Sequence, residues 1–271
     1  MPMNKLGRDS LVLLGCGKMG SAMLQGWLER GLSPDNVHVR DPNPSDWLQS
    51  TGVRINGDLP RQPGIVLVAV KPQMMDAALP DIAPMGGGAT LFVSVAAGTP
   101  IDHLARGLGK QSPIIRAMPN TPAAVGRGIT AIVGNAHATP AHLDMAETLL
   151  GAVGQVVRLE NEDQMDAVTG VSGSGPAYLF YMIECLAKAG EAQGLPPCLA
   201  MQLARATVAG AGALAEAAAE PPAELRANVT SPNGTTQAGL GVLMDEANGL
   251  APLMRRTVAA AADRSRELRD G

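Results

Sequence analysis

The segment Gly15-Cys16-Gly17-Lys18-Met19-Gly20 follows the apolar run Leu11-Val12-Leu13-Leu14 directly and opens a helical stretch. In such a strand–turn–helix setting the first glycine permits the tight turn. The second lets the backbone approach a pyrophosphate, and the third allows helix and strand to pack closely while helix N–H groups face the anion. The context therefore points to dinucleotide binding rather than a merely glycine-rich turn. It also commits the first part of the chain to a parallel sheet with crossover helices.

The rest of the first half agrees with that commitment. Short apolar, β-branched runs at 11–15, 37–40, 65–70, 90–95, 113–116, 129–133 and 154–158 predict strands. Helices are expected over 19–30, 73–79, 100–107 and 140–150, with Thr99 and Thr139 as N-caps ahead of Pro100 and Pro140. After about residue 160 the strand signals stop. Leu179, Met182, Ile183, Leu186 and Gly190 recur at helical spacing, as do Leu199, Leu203, Ala206, Gly210 and Leu214, and Leu250, Leu253, Met254, Val258 and Ala261. The expected fold is an α/β, Rossmann-type doubly wound sheet over residues 1–160, followed by an all-helical domain over 161–271. Small residues on the helix faces allow close approach of axes. A helical core shared between two subunits and a compact monomeric helical domain both use such faces.

Composition narrows the function. Hydrophobic residues form 46% and charged residues 17% of the 271, which excludes a disordered chain. The formal charge of −4 gives no reason to bind a polyanion, so nucleic acid is not an expected partner. Cys16, Cys185 and Cys198 are odd in number and far apart, which predicts neither disulfides nor zinc and suits a reducing cytoplasm. His38, His103, His137 and His142 show no ligand spacing and read as surface or loop histidines, so no metal is expected. The first apolar run is too short to span a membrane. The Ala-rich stretch 198–219 contains Arg205 and Glu216 and reads as a packed helix, so no membrane is expected.

Further candidates lie where ligands bind in such sheets, beyond the carboxyl ends of the strands. The second strand ends in Arg40-Asp41, about 20 residues past the glycines. An acid there holds an adenosine ribose 2′-OH, whereas an arginine accommodates a 2′-phosphate, and both appear side by side. Ala69-Val70-Lys71-Pro72 and Ser94-Val95-Ala96-Ala97-Gly98 end two further strands, with Lys71 read as solvent-exposed or a phosphate or ribose neighbour rather than a proton donor. Arg116 to Pro122 reads as a proline-locked loop. In the helical half, Ser174 or Gly175 caps a long helix with Pro176 at its first position. Asn228-Val229-Thr230-Ser231-Pro232-Asn233-Gly234-Thr235-Thr236 leads into a helix expected over about 236–247, gathering hydroxyls and free N–H groups into a carboxylate site. No Ser-His-Asp, Cys-His or HExxH arrangement supports hydrolysis.

On these motifs, GCGKMG at 15–20, AVKP at 69–72, SVAAG at 94–98, RAMPNTP at 116–122, GVSGSGPAY at 170–178 and NVTSPNGTT at 228–236, the sequence resembles pyrroline-5-carboxylate reductases from its first strand to its last helix. The resemblance implies reduction of the cyclic imine 1-pyrroline-5-carboxylate to L-proline with NADP(H) or NAD(H). It implies that Gly15, Cys16, Gly17, Lys18, Met19, Gly20, Arg40, Asp41, Asn56, Ala69, Val70, Lys71, Pro72, Ala97, Asn120 and Asn228 serve the cofactor. Thr236 would hydrogen-bond the substrate ring nitrogen, and Ser231, Asn233, Gly234 and Thr235 would receive its carboxylate. It further implies homodimers through interlocked C-terminal helices, assembled in many members into decamers. Two positions depart from the family pattern: Asn233 stands where glycine is common, and Asp41 where many members lack an acid.

Two other classes share part of the pattern. A β-hydroxyacid dehydrogenase also has a glycine-rich first turn and a helical second half, but uses a lysine with an Asn or Asp four residues on; here Lys188 is followed by Ala192. A non-enzymatic dinucleotide sensor would share the fold without the chemistry.

Overall fold

The computed structural model describes residues 10–270. Eight strands form one sheet: β1 (Leu11–Leu14), β2 (Val37–Arg40), β3 (Arg54–Ile55), β4 (Ile65–Val68), β5 (Leu91–Ser94), β6 (Ile114–Met118), β7 (Gly128–Gly134) and β8 (Gly154–Arg158). Their order is β3-β2-β1-β4-β5-β6-β7-β8, and the chain reverses direction across the sheet between β1 and β4. That is the Rossmann-type doubly wound arrangement, with its crevice at the β1/β4 switch point.

Helices α1 (Lys18–Glu29), α2 (Asp46–Ser50), α3 (Met75–Ile82), α4 (Ile101–Leu108) and α5 (Pro140–Leu150) make the crossovers. Alternation along the strands sorts the core into two layers. Leu11, Leu13, Val37, Val39, Leu67 and Val93 face Met23, Leu24 and Trp27 of α1 with Leu149 of α5. Val12, Leu14, Val66, Val68 and Phe92 face Met75, Leu79 and Ile82 of α3 with Leu104 and Leu108 of α4. Because both faces are covered, the strands are continuous apolar runs rather than alternating ones. Trp27 completes its burial by donating Nε1–H to the Leu149 carbonyl at 2.9 Å.

Several local expectations need correction. The sheet is mixed, since β7 runs antiparallel to β6. Only the short segment 119–127, with a 3₁₀ turn at Thr121–Val125, joins them, and a parallel return needs a longer crossover. β3 and α2 had no sequence signal: β3 has two residues and α2 five, too few to display a period. Thr139 caps α5 as expected, in a capping box with His142. Thr99 does not cap α4, because Pro100 itself occupies the N-cap position and Ile101 N–H donates to Glu162 Oε1 at 3.0 Å. Arg116 is no loop residue but a buried member of β6. His38 is likewise buried in β2 rather than on the surface.

Beyond β8 come α6 (Met165–Val168), a π turn at Thr169–Gly173, α7 (Gly175–Ala192), α8 (Pro197–Ala217), α9 (Pro222–Asn228), α10 (Thr235–Leu243) and α11 (Leu250–Asp270). Ser174 precedes α7 without a side-chain cap, and Pro176 takes the second helical position because the π turn already delivers the chain in helical conformation. α10 stops at Leu243 rather than near 247, since the Asp245 carboxylate captures the N–H groups of Ala247 and Asn248 and turns the chain. Two compact units result. Among the described residues, one comprises those up to Gly173 together with those from Ala261, and the other is Ser174–Ala260. In the second unit α7 and α8 pack through Ala187, Ala200 and Ala204. Leu179, Phe180, Met182, Leu186, Leu199, Leu203 and Leu214 stay exposed in the single chain.

Candidate active site

The glycine-rich turn is built as its residue types demand. Gly15 has φ +89°, and a Cβ there would stand 2.9 Å from the Ala69 carbonyl oxygen, so only glycine lets β1 turn against the end of β4. Gly15 N–H donates to the Arg40 carbonyl and Ala69 N–H to that of Leu14, both at 2.8 Å, which aligns three strand ends in one crevice. A Cβ at Gly17 would meet nothing within 4 Å, and α1 begins there without a side-chain cap or an acid in its first turn. Its first N–H groups thus look onto open space, the arrangement an anionic phosphate fills. Met19 is half-buried against the core, Lys18 is exposed, and Cys16 is buried. Burial, aided by the Asp41 carboxylate, pushes the Cys16 thiol up to about 11. It is therefore a small apolar filler in the turn.

Asp41 is tied into this turn. Its Oδ2 accepts from Cys16 N–H at 2.6 Å and its Oδ1 from Asn43 N–H at 2.8 Å. The Asn56 side chain clasps the Asp41 backbone, accepting from its N–H at 3.0 Å and donating to its carbonyl at 2.7 Å. Asn56 adopts a left-handed backbone conformation, φ +53°, to do so. Arg40 points elsewhere: Nη1 donates to the Asn56 carbonyl at 3.2 Å and Nε lies 3.5 Å from Asp81 Oδ2. Lys71 and Pro72 are exposed at the end of β4, Ala69 and Val70 half-buried, and Ala97 exposed after β5. The Asn120 side chain is nearly buried and joins two segments, accepting from Ile129 N–H at 2.9 Å and donating to the Ser172 carbonyl at 3.2 Å.

Sequence reasoning missed Glu162. Its Oε1 accepts from both Ile101 N–H and buried Arg116 Nη1, the latter at 2.8 Å. An arginine inside a run as apolar as Ile114-Ile115-Arg116-Ala117-Met118 was the available signal, because a buried guanidinium needs a carboxylate.

In the second unit, Asn228 ends α9 and the loop beyond it is held by its own backbone. Thr230 Oγ1 donates to the Arg226 carbonyl at 2.6 Å, and Gly234 N–H to that of Ser231 at 3.1 Å. Asn233 has φ +58°, a left-handed conformation that glycine and asparagine accept more readily than other residues. Its N–H donates to Gln237 Oε1 at 2.5 Å. α10 starts after Gly234 with no side-chain cap and no acid in its first turn, and Ser231, Thr235 and Thr236 are exposed beside it. Such a helix start can receive a carboxylate.

Comparison with known proteins gives a consistent result. Residues 162–268 match the family described as pyrroline-5-carboxylate reductase dimerisation, and residues 10–98 match the NADP oxidoreductase, coenzyme F420-dependent family. A pyrroline-5-carboxylate reductase of Synechocystis is 42% identical, covering 95% of this chain and 97% of its own. The solved structure of one from Coxiella burnetii superposes with a TM-score of 0.90 at 32% identity, covering 96% and 98%. That of Plasmodium falciparum pyrroline carboxylate reductase, with NADP bound, has a TM-score of 0.82 at 27% identity, covering 97% and 99%.

Proposed function

This chain belongs to the pyrroline-5-carboxylate reductase family, and from that premise we propose how its own residues serve the NAD(P)H-dependent reduction of 1-pyrroline-5-carboxylate to L-proline. The observation that carries the dinucleotide half is the uncapped start of α1 above Gly17, where N–H donors face open space. NAD(P)H supplies the hydride when bound, so the protein needs to bind and orient rather than activate. The turn Gly15–Gly20 holds the pyrophosphate, and Asp41, held by Asn56, faces the adenosine end, with Arg40 bracing Asn56 from its carbonyl. Lys71, Pro72 and Ala97 line the continuation over β4 and β5.

The helix start at α10 takes the substrate carboxylate, with Ser231, Gly234 and Thr235 around it. Thr236 orients the ring nitrogen. An imine that binds protonated already carries its proton, so a hydroxyl suffices where a carbonyl substrate would require a general acid. The test is steady-state oxidation of NADPH and NADH with pyrroline-5-carboxylate, compared with panels of hydroxy acids and keto acids. Thr236→Ala should lower kcat/KM roughly ten- to hundred-fold, equivalent to ~1.5–3 kcal/mol for one charge-assisted hydrogen bond. Wild-type efficiency in that variant would overturn the assignment.

The chain forms homo-oligomers through its helical half, which matches the family's dimerisation region over 162–268. This also accounts for α8, a helix long and apolar enough to cross a membrane by composition and only 11% buried. Its exposed Leu199, Leu203 and Leu214 belong to the dimerisation match. A decamer of such dimers and a cytoplasmic location complete the proposal. The first is supported by resemblance and the second by three free cysteines. Light scattering of the full chain distinguishes dimer from decamer.

A further inference from the structure

The turn after β5 has an unexpected neighbour. In the strand order β2-β1-β4-β5, a dinucleotide whose adenosine end lies at β2 and whose pyrophosphate lies at β1 extends its reactive end across β4 to the carboxyl end of β5. There the chain turns through Ala96, exposed Ala97 and Gly98. The turn is fastened to the sheet by Val95 N–H on the Val68 carbonyl at 3.0 Å. Beyond it, the first N–H of α4 is held by Glu162. On its outer side sits the end of α11: a Cβ at Gly98 would lie 3.4 Å from Leu268 Cβ and 3.7 Å from the Leu268 carbonyl oxygen. The end of α11 thus stands one carbon's width from the Gly98 backbone, whose φ of +71° is the reason for a glycine in this turn.

A buried charge keeps α11 there. Asp166 of α6 is 1% exposed, and its two carboxylate oxygens accept separately from Ser265 Oγ at 2.6 Å and Arg269 Nη1 at 2.9 Å. Ser265 and Arg269 are one helical turn apart on one face, and Leu268, its side chain about half exposed, presents its Cβ and backbone to Gly98. Apolar packing would dock a helix in several registers. A two-pronged carboxylate contact admits one, because any slip leaves a charge buried and unpaired.

We propose that Asp166, Ser265 and Arg269 are positioning residues which, through Leu268, hold the Ala96–Gly98 turn in the shape that orients the reactive end of the dinucleotide. This rests on the functional reading above. The test uses the full-length enzyme and two variants, Arg269→Ala and Ser265→Ala, with Arg269→Lys as the conservative control. Backbone amide exchange is measured first in the free enzyme. Residues 95–101 should exchange at least about tenfold faster in both alanine variants, while 11–24 stay unchanged. At saturating substrates kcat should fall about five- to tenfold with KM for pyrroline-5-carboxylate within about twofold, and Arg269→Lys should restore most of it. Unchanged exchange at 95–101 in both variants overturns the proposal, as does faster exchange with wild-type kcat. Exchange is read without dinucleotide or turnover. A wild-type enzyme that failed to reduce pyrroline-5-carboxylate would therefore sink the functional reading and leave the exchange result to decide this one.

Discussion

The Asp41 carboxylate accepts a hydrogen bond from the backbone N–H of Cys16 at 2.6 Å, tying the end of β2 to the glycine-rich turn at the end of β1. A carboxylate oxygen that has accepted one such bond still has acceptor capacity for a ribose hydroxyl, while its fixed charge opposes a 2′-phosphate. Arg40 is turned to Asn56 and Asp81. Asp41→Ala should therefore raise the ratio of kcat/KM with NADPH to that with NADH by about tenfold, and Arg40→Ala should leave it within about threefold. A falling ratio in Arg40→Ala would show that this arginine reads the phosphate after all.

At the α10 loop, backbone conformation separates two adjacent residues. Asn233→Gly should leave KM for pyrroline-5-carboxylate within about twofold, because glycine adopts φ +58° freely. Gly234→Val should raise it by about tenfold or more with little change in dinucleotide affinity, since a Cβ there collides with Ser231 Oγ and displaces the loop. Parallel substrate titrations of both variants check this, and equal KM values would remove the loop from the carboxylate site.

Arg116 is 2% exposed and its partner Glu162 29%. Glu162→Ala strands a buried guanidinium and the first N–H of α4, and should destabilise the protein by about 3 kcal/mol, the low end for a buried pair because the glutamate is partly solvated. Glu162→Gln keeps the acceptor and should cost about half as much. Urea unfolding of the two variants compares them, and an alanine variant as stable as the glutamine one would contradict the pairing argument.

With its thiol pushed up to about 11 by burial and then by Asp41, Cys16 is almost entirely protonated at neutral pH. Iodoacetamide at pH 8 should label it at least about 100-fold more slowly in the folded enzyme than in urea. Peptide mass spectrometry reads the site directly, and rapid labelling of native Cys16 would refute a passive packing role.

Burial, then the nearby Arg54, lowers the pKa of His38 below its ordinary 6.5, against an opposing hydrogen bond to the Asp58 backbone. The unfolded chain then takes up a proton, as pH falls through about 6.5, that the folded chain resists. The folded state is free of this penalty above that pH and loses stability below it until the folded pKa is passed. Urea midpoints at pH 7.5 and pH 5 should fall further in wild type than in His38→Gln, and equal falls would exclude His38 as the cause.

The sequence by itself determined what depends on local pattern. Gly15, Gly17 and Gly20 between an apolar strand and a helix, the buried strand runs, and the hydroxyl-rich lead into α10 each carry their physical reason within a dozen residues. Tertiary structure alone decided the pairings between distant parts. These are the antiparallel β7, the capping of α4 by Glu162, the commitment of Asp41 to Cys16, and the return of α11 to Asp166 and Gly98. In each case a polar or charged group needed a partner, and many residues along the chain could have supplied it. Which one does is set by where the packed sheet brings two segments together, because a buried hydrogen-bonding group takes the partner the fold delivers and the sequence records only the need.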